Sequence, residues 1–513
     1  MAVRLGQPSR DLRTFLAFLQ QAGRLQRVSK PVDKDWEIAC IARWSLESTP
    51  LEDAYAILFE NVMHHTVPVA VNLYTSRAMY AAALGILPEA LFEHWAKALG
   101  RPQPPVVVEK APVQANVATG SRVNLLALPT PVWTPGRDAG PYLSAANVIT
   151  KDPETGVQNL ATYRIQIHDE RRLGLFFGSA LQHGAMHYAH YCKRREPMPV
   201  AIVVGAPPAV NFAAAAKTAY GVDELDIAGG LMGAPLDVVT GQTVDLRVPS
   251  HAECVIEGRV WPGAQEMEGP FGEALGYMNR AALAPVVEVT AICQRHAPVH
   301  HGFVQQLPPS DGHLVMEMGA LGPLWYYLTR KLRLQGVRDL AIARGSAGLA
   351  ILIVQLETAH AHRAATIGRM LAKFNFGQKF MYLVDEDIDI RDQETVQWAL
   401  SSRVDPKRDI EVIDPIATFQ YDPSILARAA AEGQDVGTPP YPSSMAIVDA
   451  TVKCRVPEVS LPDQHQMQHV LANWPATGLP PIVPRQRLKR LLTTHANTAL
   501  TSEPDQPAVW VKA

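Results

Sequence analysis

The apolar positions of this chain change period several times, and the changes outline its elements. Over residues 9–22, Leu12, Phe15, Leu16 and Leu19 recur at three- and four-residue intervals. That spacing predicts an amphipathic helix, with Ser9 as its N-cap and Gly23 at its end. Val67-Pro-Val-Ala-Val-Asn-Leu73 is a short apolar run that predicts a buried strand. Residues 77–99 return to a helical pattern, interrupted at Leu87-Pro88. Helices alternating with strands predict an α/β N-terminal domain. Pro102, Pro104, Pro105 and Pro112 then make residues 101–115 a stiff connector and a domain boundary.

From about 143 to 305 the pattern is short β-branched runs between turns, among them Val200-Ala-Ile-Val-Val, Glu253-Cys-Val-Ile-Glu and Val286-Val-Glu-Val-Thr. These predict a β-rich barrel or sandwich, with one helix at about 179–195. Alternation resumes over 325–420: a helix at 322–334, a strand at 349–356, a helix at 362–374 and a strand at 379–384. This predicts a parallel or mixed sheet. The tail beyond 455 is proline-rich, with a basic helix near 485–493. The fold class is α/β (α+β), with domains over 1–115, 116–320, 321–455 and a tail over 456–513. The tail is a candidate oligomer contact.

Composition narrows the function. The chain has 513 residues, 47% hydrophobic and 19% charged, as expected of a globular protein with more than one core. A net charge of −3 offers no electrostatic footprint for nucleic acid. No apolar run approaches the ~20 residues that cross a membrane, and no signal-peptide core opens the chain. Five scattered cysteines without a C-x-x-C pair predict reduced thiols in a cytoplasm. The chain has no G-x-G-x-x-G, Walker A loop or G-x-S-x-G elbow, which counts against a dehydrogenase, an NTPase and a serine hydrolase.

The most informative segment is Glu268-Gly-Pro-Phe-Gly-Glu273. Two carboxylates flank a bend that the glycines allow and Pro270 stiffens. It is either a proton-transfer site, which needs an acid held in place, or a surface turn with two solvated acids. His183, His187 and His190 stand at helical spacing and would face one metal; the alternative is one functional histidine with structural neighbours. The acid run Asp385–Asp392 lacks EF-hand spacing and reads as a solvated loop after a strand. Asn159-Leu-Ala-Thr-Tyr-Arg164 reads as a strand whose period of two puts Asn159, Ala161 and Tyr163 on one face. Arg164 falls on the other face unless a bulge intervenes.

These motifs, in order, resemble the UbiD family of decarboxylases, which use prenylated FMN. The set is Asn159-x-x-x-Tyr-Arg164, Gln182-His183-Gly, Gly221-Val-Asp-Glu224 leading to Ala228-Gly-Gly-Leu-Met-Gly233, Glu268-Gly-Pro-Phe-Gly-Glu273, Lys379 and Trp398-Ala-Leu-Ser-Ser-Arg403. The resemblance spans roughly residues 9–455, and the E-G-P-F-G-E element is its most specific part. It implies that the central domain is a split-barrel-like flavin-binding domain. It implies that Asn159, His183 and Glu224 hold a divalent ion, typically Mn²⁺, against the cofactor phosphate. Tyr163, Arg164, Gln182 and Lys379 join the cofactor site, and a potassium ion is a frequent addition. Arg164, Glu268 and Glu273 form the catalytic network: Glu273 as proton donor, Arg164 positioning it, Glu268 tuning the pair.

The implied activity is reversible, non-oxidative decarboxylation of an aromatic, heteroaromatic or α,β-unsaturated carboxylic acid, free or as a CoA thioester. The implied partners are a flavin prenyltransferase that supplies the cofactor and further copies of the chain, in a dimer or hexamer. The substrate is expected in a cleft between the central and C-terminal domains. His301, Gln305, Gln306, Pro308-Pro309-Ser310 and His313 are expected to line or gate its pocket. The chain departs from relatives that act on cinnamate-type acids at Phe212-Ala-Ala-Ala-Ala-Lys217, where those carry serines; Lys217 argues against the potassium ion. The alternatives are a metal-dependent hydrolase using His183, Glu224 and Glu273, and a non-catalytic flavin-binding accessory subunit. The intact Arg164, Glu268 and Glu273 argue against the second.

Overall fold

The structure is a computed structural model that describes residues 6–418, 422–433, 441–454, 457 and 459–485. The described residues fall into two compact units. The first comprises Met1–Arg333, Gly345–Leu349 and Ala417–Pro442; the second comprises Leu334–Arg344, Ala350–Ile416 and Ser443–Ala513. Among the described residues no helix is long and apolar enough to cross a membrane.

The first unit opens with α1 (Leu12–Gln21), which buries Leu12, Phe15, Leu16 and Leu19 as the periodicity expects. Its cap is Asp11 rather than Ser9. The Asp11 carboxylate accepts the Thr14 N–H at 2.8 Å and the Thr14 hydroxyl oxygen accepts the Asp11 N–H at 3.2 Å, a capping box. Ser9 donates its N–H to Ala83 instead. Then follow β1 (Leu25–Val28), α2 (Glu37–Ser48), β2 (Ala56–Phe59) and β3 (Val69–Val71), in which β1 and β2 are parallel and β2 and β3 antiparallel. The predicted 77–99 helix is two, α3 (Arg77–Ala83) and α4 (Leu91–Gly100), parted at Leu87-Pro88 where proline cannot continue the ladder.

The centre of the unit is one nine-stranded antiparallel sheet. Its strands in chain order are β4 (Asn116–Thr119), β5 (Tyr142–Leu143), β6 (Asn147–Lys151), β7 (Gln158–Thr162), β8 (Arg164–Ile167), β9 (Arg172–Phe176), β10 (Met198–Val204), β11 (Cys254–Glu268) and β12 (Ala282–Gln294). Between them lie α5 (His183–Arg194), α6 (Pro208–Ala213) and α7 (Glu224–Met232). The spatial order is β5-β8-β9-β12-β11-β10-β6-β7, with β4 beside β12. Thus β7 ends the path at one side while β8 is next to its other end, yet only Tyr163 separates them in the chain. Two residue steps, from Thr162 to Arg164, span at most ~7 Å, far less than six strand spacings of ~4.8 Å across a flat sheet. The sheet therefore has to curl until its ends meet, as a half-barrel. Leu173, Leu175, Val200, Ile202, Ile256 and Val287 fill it.

The short strand β13 (His300–His301) then pairs parallel with β3, and α8 (Asp311–Tyr326) follows. The helix predicted at 322–334 thus starts eleven residues earlier. Glycines hide it: a Cβ on Gly319 would stand 2.3 Å from the Ala215 carbonyl oxygen, and one on Gly322 would stand 2.6 Å from the Trp95 ring. Close packing requires them despite their low helix propensity.

The second unit carries a mixed five-stranded sheet, as the alternation predicts. Its members are β14 (Val337–Ile342), β15 (Ile351–Leu356), β16 (Phe380–Asp385), β17 (Ile410–Thr418) and β18 (Tyr441–Ala450), in the order β14-β15-β16-β18-β17. Two helices, α9 (Ala364–Leu371) and α10 (Gln393–Arg403), accompany it. The acid run after β16 is not a solvated loop. Asp385 and Asp387 are buried and grip the Arg403 guanidinium at 3.1 and 2.5 Å. Of the tail, Gln464–Ala472 is a helix; the basic helix expected near 485–493 lies outside the described residues beyond 485.

The capping box and the ion pair from Arg295 to Asp11, at 2.9 Å, make Asp11 a stability residue. Asp11→Ala should cost about 1–2 kcal/mol and lower the thermal midpoint by roughly 2 °C. Differential scanning calorimetry against Ser9→Ala, which should be near neutral, checks this.

Candidate active site

A cavity of about 530 Å³ opens in the first unit. That lies in the range of sites for drug-sized ligands, ~300–1,000 Å³. The segment Asn159–Arg164 runs along it, and every residue of the segment contributes to its wall. The break between β7 and β8 at Tyr163 is what allows this. An unbroken strand would turn Arg164 away from Asn159, whereas the break brings both to one cavity.

At one end stands Arg164, its Cζ 4.0 Å from the Phe176 ring centre. Its Nη2 donates to Glu268 at 2.6 Å and its Nη1 donates to Glu273. Glu268, the last residue of β11, lies fully buried behind the guanidinium and off the cavity surface. Glu273 faces the cavity. The backbone holds both acids. Gly269 sits at φ +86° and donates its N–H to Gln166 Oε1 at 2.9 Å, while Gln166 also accepts the Tyr142 hydroxyl. Glu273 donates its N–H to the Tyr277 carbonyl. Gly272 passes so near Gln305 that a Cβ would stand 2.8 Å from its carbonyl oxygen. The surface-turn reading of this bend is therefore set aside.

One guanidinium cannot compensate two buried carboxylates. Desolvation, opposed by Arg164 and reinforced by the Glu268 charge, raises Glu273 from the ordinary 4.5 to about 7. The folded protein therefore holds this proton more tightly than the unfolded chain does. Raising the pH from about 4.5 to about 7 thus removes stability that the protonated acid supplies.

At the other end are two helix starts. His183 is the first residue of α5, and Gln182, which precedes it, supplies no side-chain cap. Glu224 is the first residue of α7, which Asp223 caps. The His183 Nδ1 and Asn159 Oδ1 are 3.2 Å apart. Glu224 accepts the Leu160 N–H and the Thr218 hydroxyl, both at 2.8 Å. Burial raises its carboxyl to about 7 against those two bonds. Burial also lowers His183, with help from the Lys217 charge, so its ring is a neutral donor. Two oxygen donors and a neutral imidazole suit a fairly hard divalent ion. Tyr163 completes the wall and accepts the Gly184 N–H through its hydroxyl.

The histidine row does not converge. His187 is buried against Thr150, and His190 bonds Asp152 at 3.2 Å. Lys379 belongs to the second unit, half-buried where β16 begins. Of the residues expected to line or gate the pocket, Gln305 lines it. His301 is packed against Tyr74 and Phe303, Gln306 donates to the Trp133 carbonyl, and His313 bonds Ser310 and the Ala274 carbonyl. Sequence reasoning missed Gln166 and Thr218. Gln166 was findable, two residues after Arg164 on the same strand face; Thr218 carried no signal beyond its nearness to Glu224.

Three family profiles match consecutive stretches of the chain. They describe the 3-octaprenyl-4-hydroxybenzoate carboxy-lyase N-terminal domain at residues 16–99, its Rift-related domain at 105–308 and its C-terminal domain at 317–438. The chain belongs to the UbiD family. It is accordingly a carboxy-lyase. An uncharacterised protein in the cooM 5′ region of Rhodospirillum rubrum is 33% identical over 452 residues, covering 86% of this chain and 94% of that protein. The UbiD-class enzyme HmfF of Pelotomaculum thermopropionicum, solved in complex with FMN, is 32% identical, with a TM-score of 0.78 over 88% of this chain and 97% of that one. Vanillic acid decarboxylase of Sedimentibacter hydroxybenzoicus is 27% identical, with a TM-score of 0.77 over 92% of this chain and 100% of that one.

The UbiD chain's central ion network gives a stability prediction. Arg164→Met leaves Glu268 buried without its cation and should cost about 3–5 kcal/mol. Adding Glu268→Gln should recover much of that loss. Chemical denaturation of the two variants checks it.

Proposed function

We propose that this UbiD protein catalyses reversible, non-oxidative decarboxylation of an aromatic or heteroaromatic carboxylic acid with prenylated FMN. The observation that carries the proposal is the Arg164 clamp, which presents Glu273 to the cavity with a carboxyl raised to about 7. A general acid has to keep its proton at working pH and sit within reach of the carbon that takes it. Phe176, Phe271, Phe303 and Leu349 give that end an apolar wall that suits a flat ring. The binding of FMN by HmfF, whose fold this chain shares, supports a flavin in the cavity.

When bound, prenylated FMN supplies the electron sink for breaking the carbon–carboxyl bond. Asn159, His183 and Glu224 would hold a divalent ion such as Mn²⁺, which offsets phosphate charge. Tyr163 and Gln182 shape the wall beside it. As CO₂ departs, its bonding electron pair stays on the ring carbon, and Glu273 delivers its proton there. Arg164 then pairs with the Glu273 carboxylate until it regains a proton through the open cavity. Glu268 keeps Arg164 fixed and adds a negative charge that holds the Glu273 proton in place. In the reverse direction Glu273 removes the ring proton. The cofactor comes from a flavin prenyltransferase, and the protein assembles as a homo-oligomer.

Glu273→Gln should lower kcat by about 10²–10⁴-fold while leaving flavin content unchanged. In the wild type, decarboxylation needs the acid form, so its rate should fall as pH rises through about 7. Steady-state assays of CO₂ release by holoenzyme across pH, with flavin absorbance of the variant, check both. A Glu273→Gln enzyme with undiminished turnover would refute the assignment.

A further inference from the structure

Lys217 is the charged group of the cavity wall that the mechanism leaves unused. It follows Ala214-Ala215-Ala216, so this stretch offers no other charge to a ligand. Its backbone is fixed: the N–H donates to the Gly319 carbonyl at 2.9 Å, and Gly319 packs directly on Ala215. The side chain is exposed and opens to the cavity. The ammonium has no hydrogen-bond or ion-pair partner among the described residues. An ammonium on a cavity wall with no protein anion beside it is placed to donate charge-assisted hydrogen bonds to an anionic ligand.

The place of Lys217 says which anion. Thr218, the next residue, donates its hydroxyl to Glu224 at 2.8 Å, and both line the cavity with His183, so Lys217 belongs to that end. There α5, twelve residues long, starts without a side-chain cap, and its first N–H groups and dipole favour negative charge. A substrate carboxyl, by contrast, has to sit near Glu273, at the end where Arg164 is already committed to two acids. We infer that Lys217 is a phosphate-binding residue, whose ammonium takes the terminal phosphate of the flavin beside His183. The inference rests on the flavin reading above and gives that phosphate a cation carried by the chain itself.

The test is fluorescence titration of cofactor-free protein with FMN and with riboflavin, which differ only in the phosphate. The measurement requires no turnover. Lys217→Met should weaken FMN binding by roughly tenfold or more, leave riboflavin binding unchanged and keep the wild-type thermal midpoint. Lys217→Arg should restore most of the FMN affinity. Unchanged FMN affinity in Lys217→Met would overturn the inference. So would equal loss for both flavins, which marks a role in cavity shape. A raised KM for the acid with intact FMN affinity would reassign the ammonium to the substrate carboxylate and also overturn it. If wild-type protein bound FMN normally, these failures would leave the decarboxylase reading standing; a wild type that bound neither flavin would overturn both.

Discussion

One guanidinium shared by two carboxylates is the constraint on which the site depends. Arg164 neutralises one charge, and the burial of Glu268 and Glu273 makes the second charge expensive. The system meets that cost by keeping a proton. Glu273, on the cavity wall, is the acid whose carboxyl is raised to about 7. Phe176 across the guanidinium limits water there and fixes its plane.

The fold brings these groups together from distant parts of the chain. Arg164 begins β8, Glu268 ends β11 and Glu273 follows the bend between glycines. They meet because the sheet closes at Tyr163, and that closure also sets the spacing of the two ends of the cavity. Asn159 and Arg164 are five residues apart, so their backbones lie within ~18 Å. The proposed proton-donating end and the proposed phosphate end on one short segment suit an elongated ligand with a ring at one end and a phosphate at the other.

Much of this was legible in the sequence, and the exceptions have physical causes. The E-G-P-F-G-E segment stood out because its residue types carry chemistry, whereas Asn159, His183 and Glu224 were joined as a set only through the family resemblance. The shared facing of Asn159 and Arg164 did not, since period two separates them and the break at Tyr163 depends on sheet closure. The start of α8 was hidden because Gly312, Gly319 and Gly322 lower helix propensity and are explained only by neighbours distant in sequence. The acid run after β16 looked solvated because its partner, Arg403, lies a helix away. Lys217 was visible as a departure from relatives, but its lack of a protein partner is a property of the cavity.

The central claim is that Glu273 is the group that keeps a proton near neutral pH. Infrared difference spectroscopy between wild type and Glu273→Gln tests it most directly, because Glu224 and Asp311, which burial also raises to about 7, cancel in the subtraction. The account predicts a protonated-carboxyl band, present at acidic pH in the wild type alone, that disappears as pH rises through about 7. A wild type whose Glu273 band is already lost near 4.5, the ordinary carboxylate range, would contradict it.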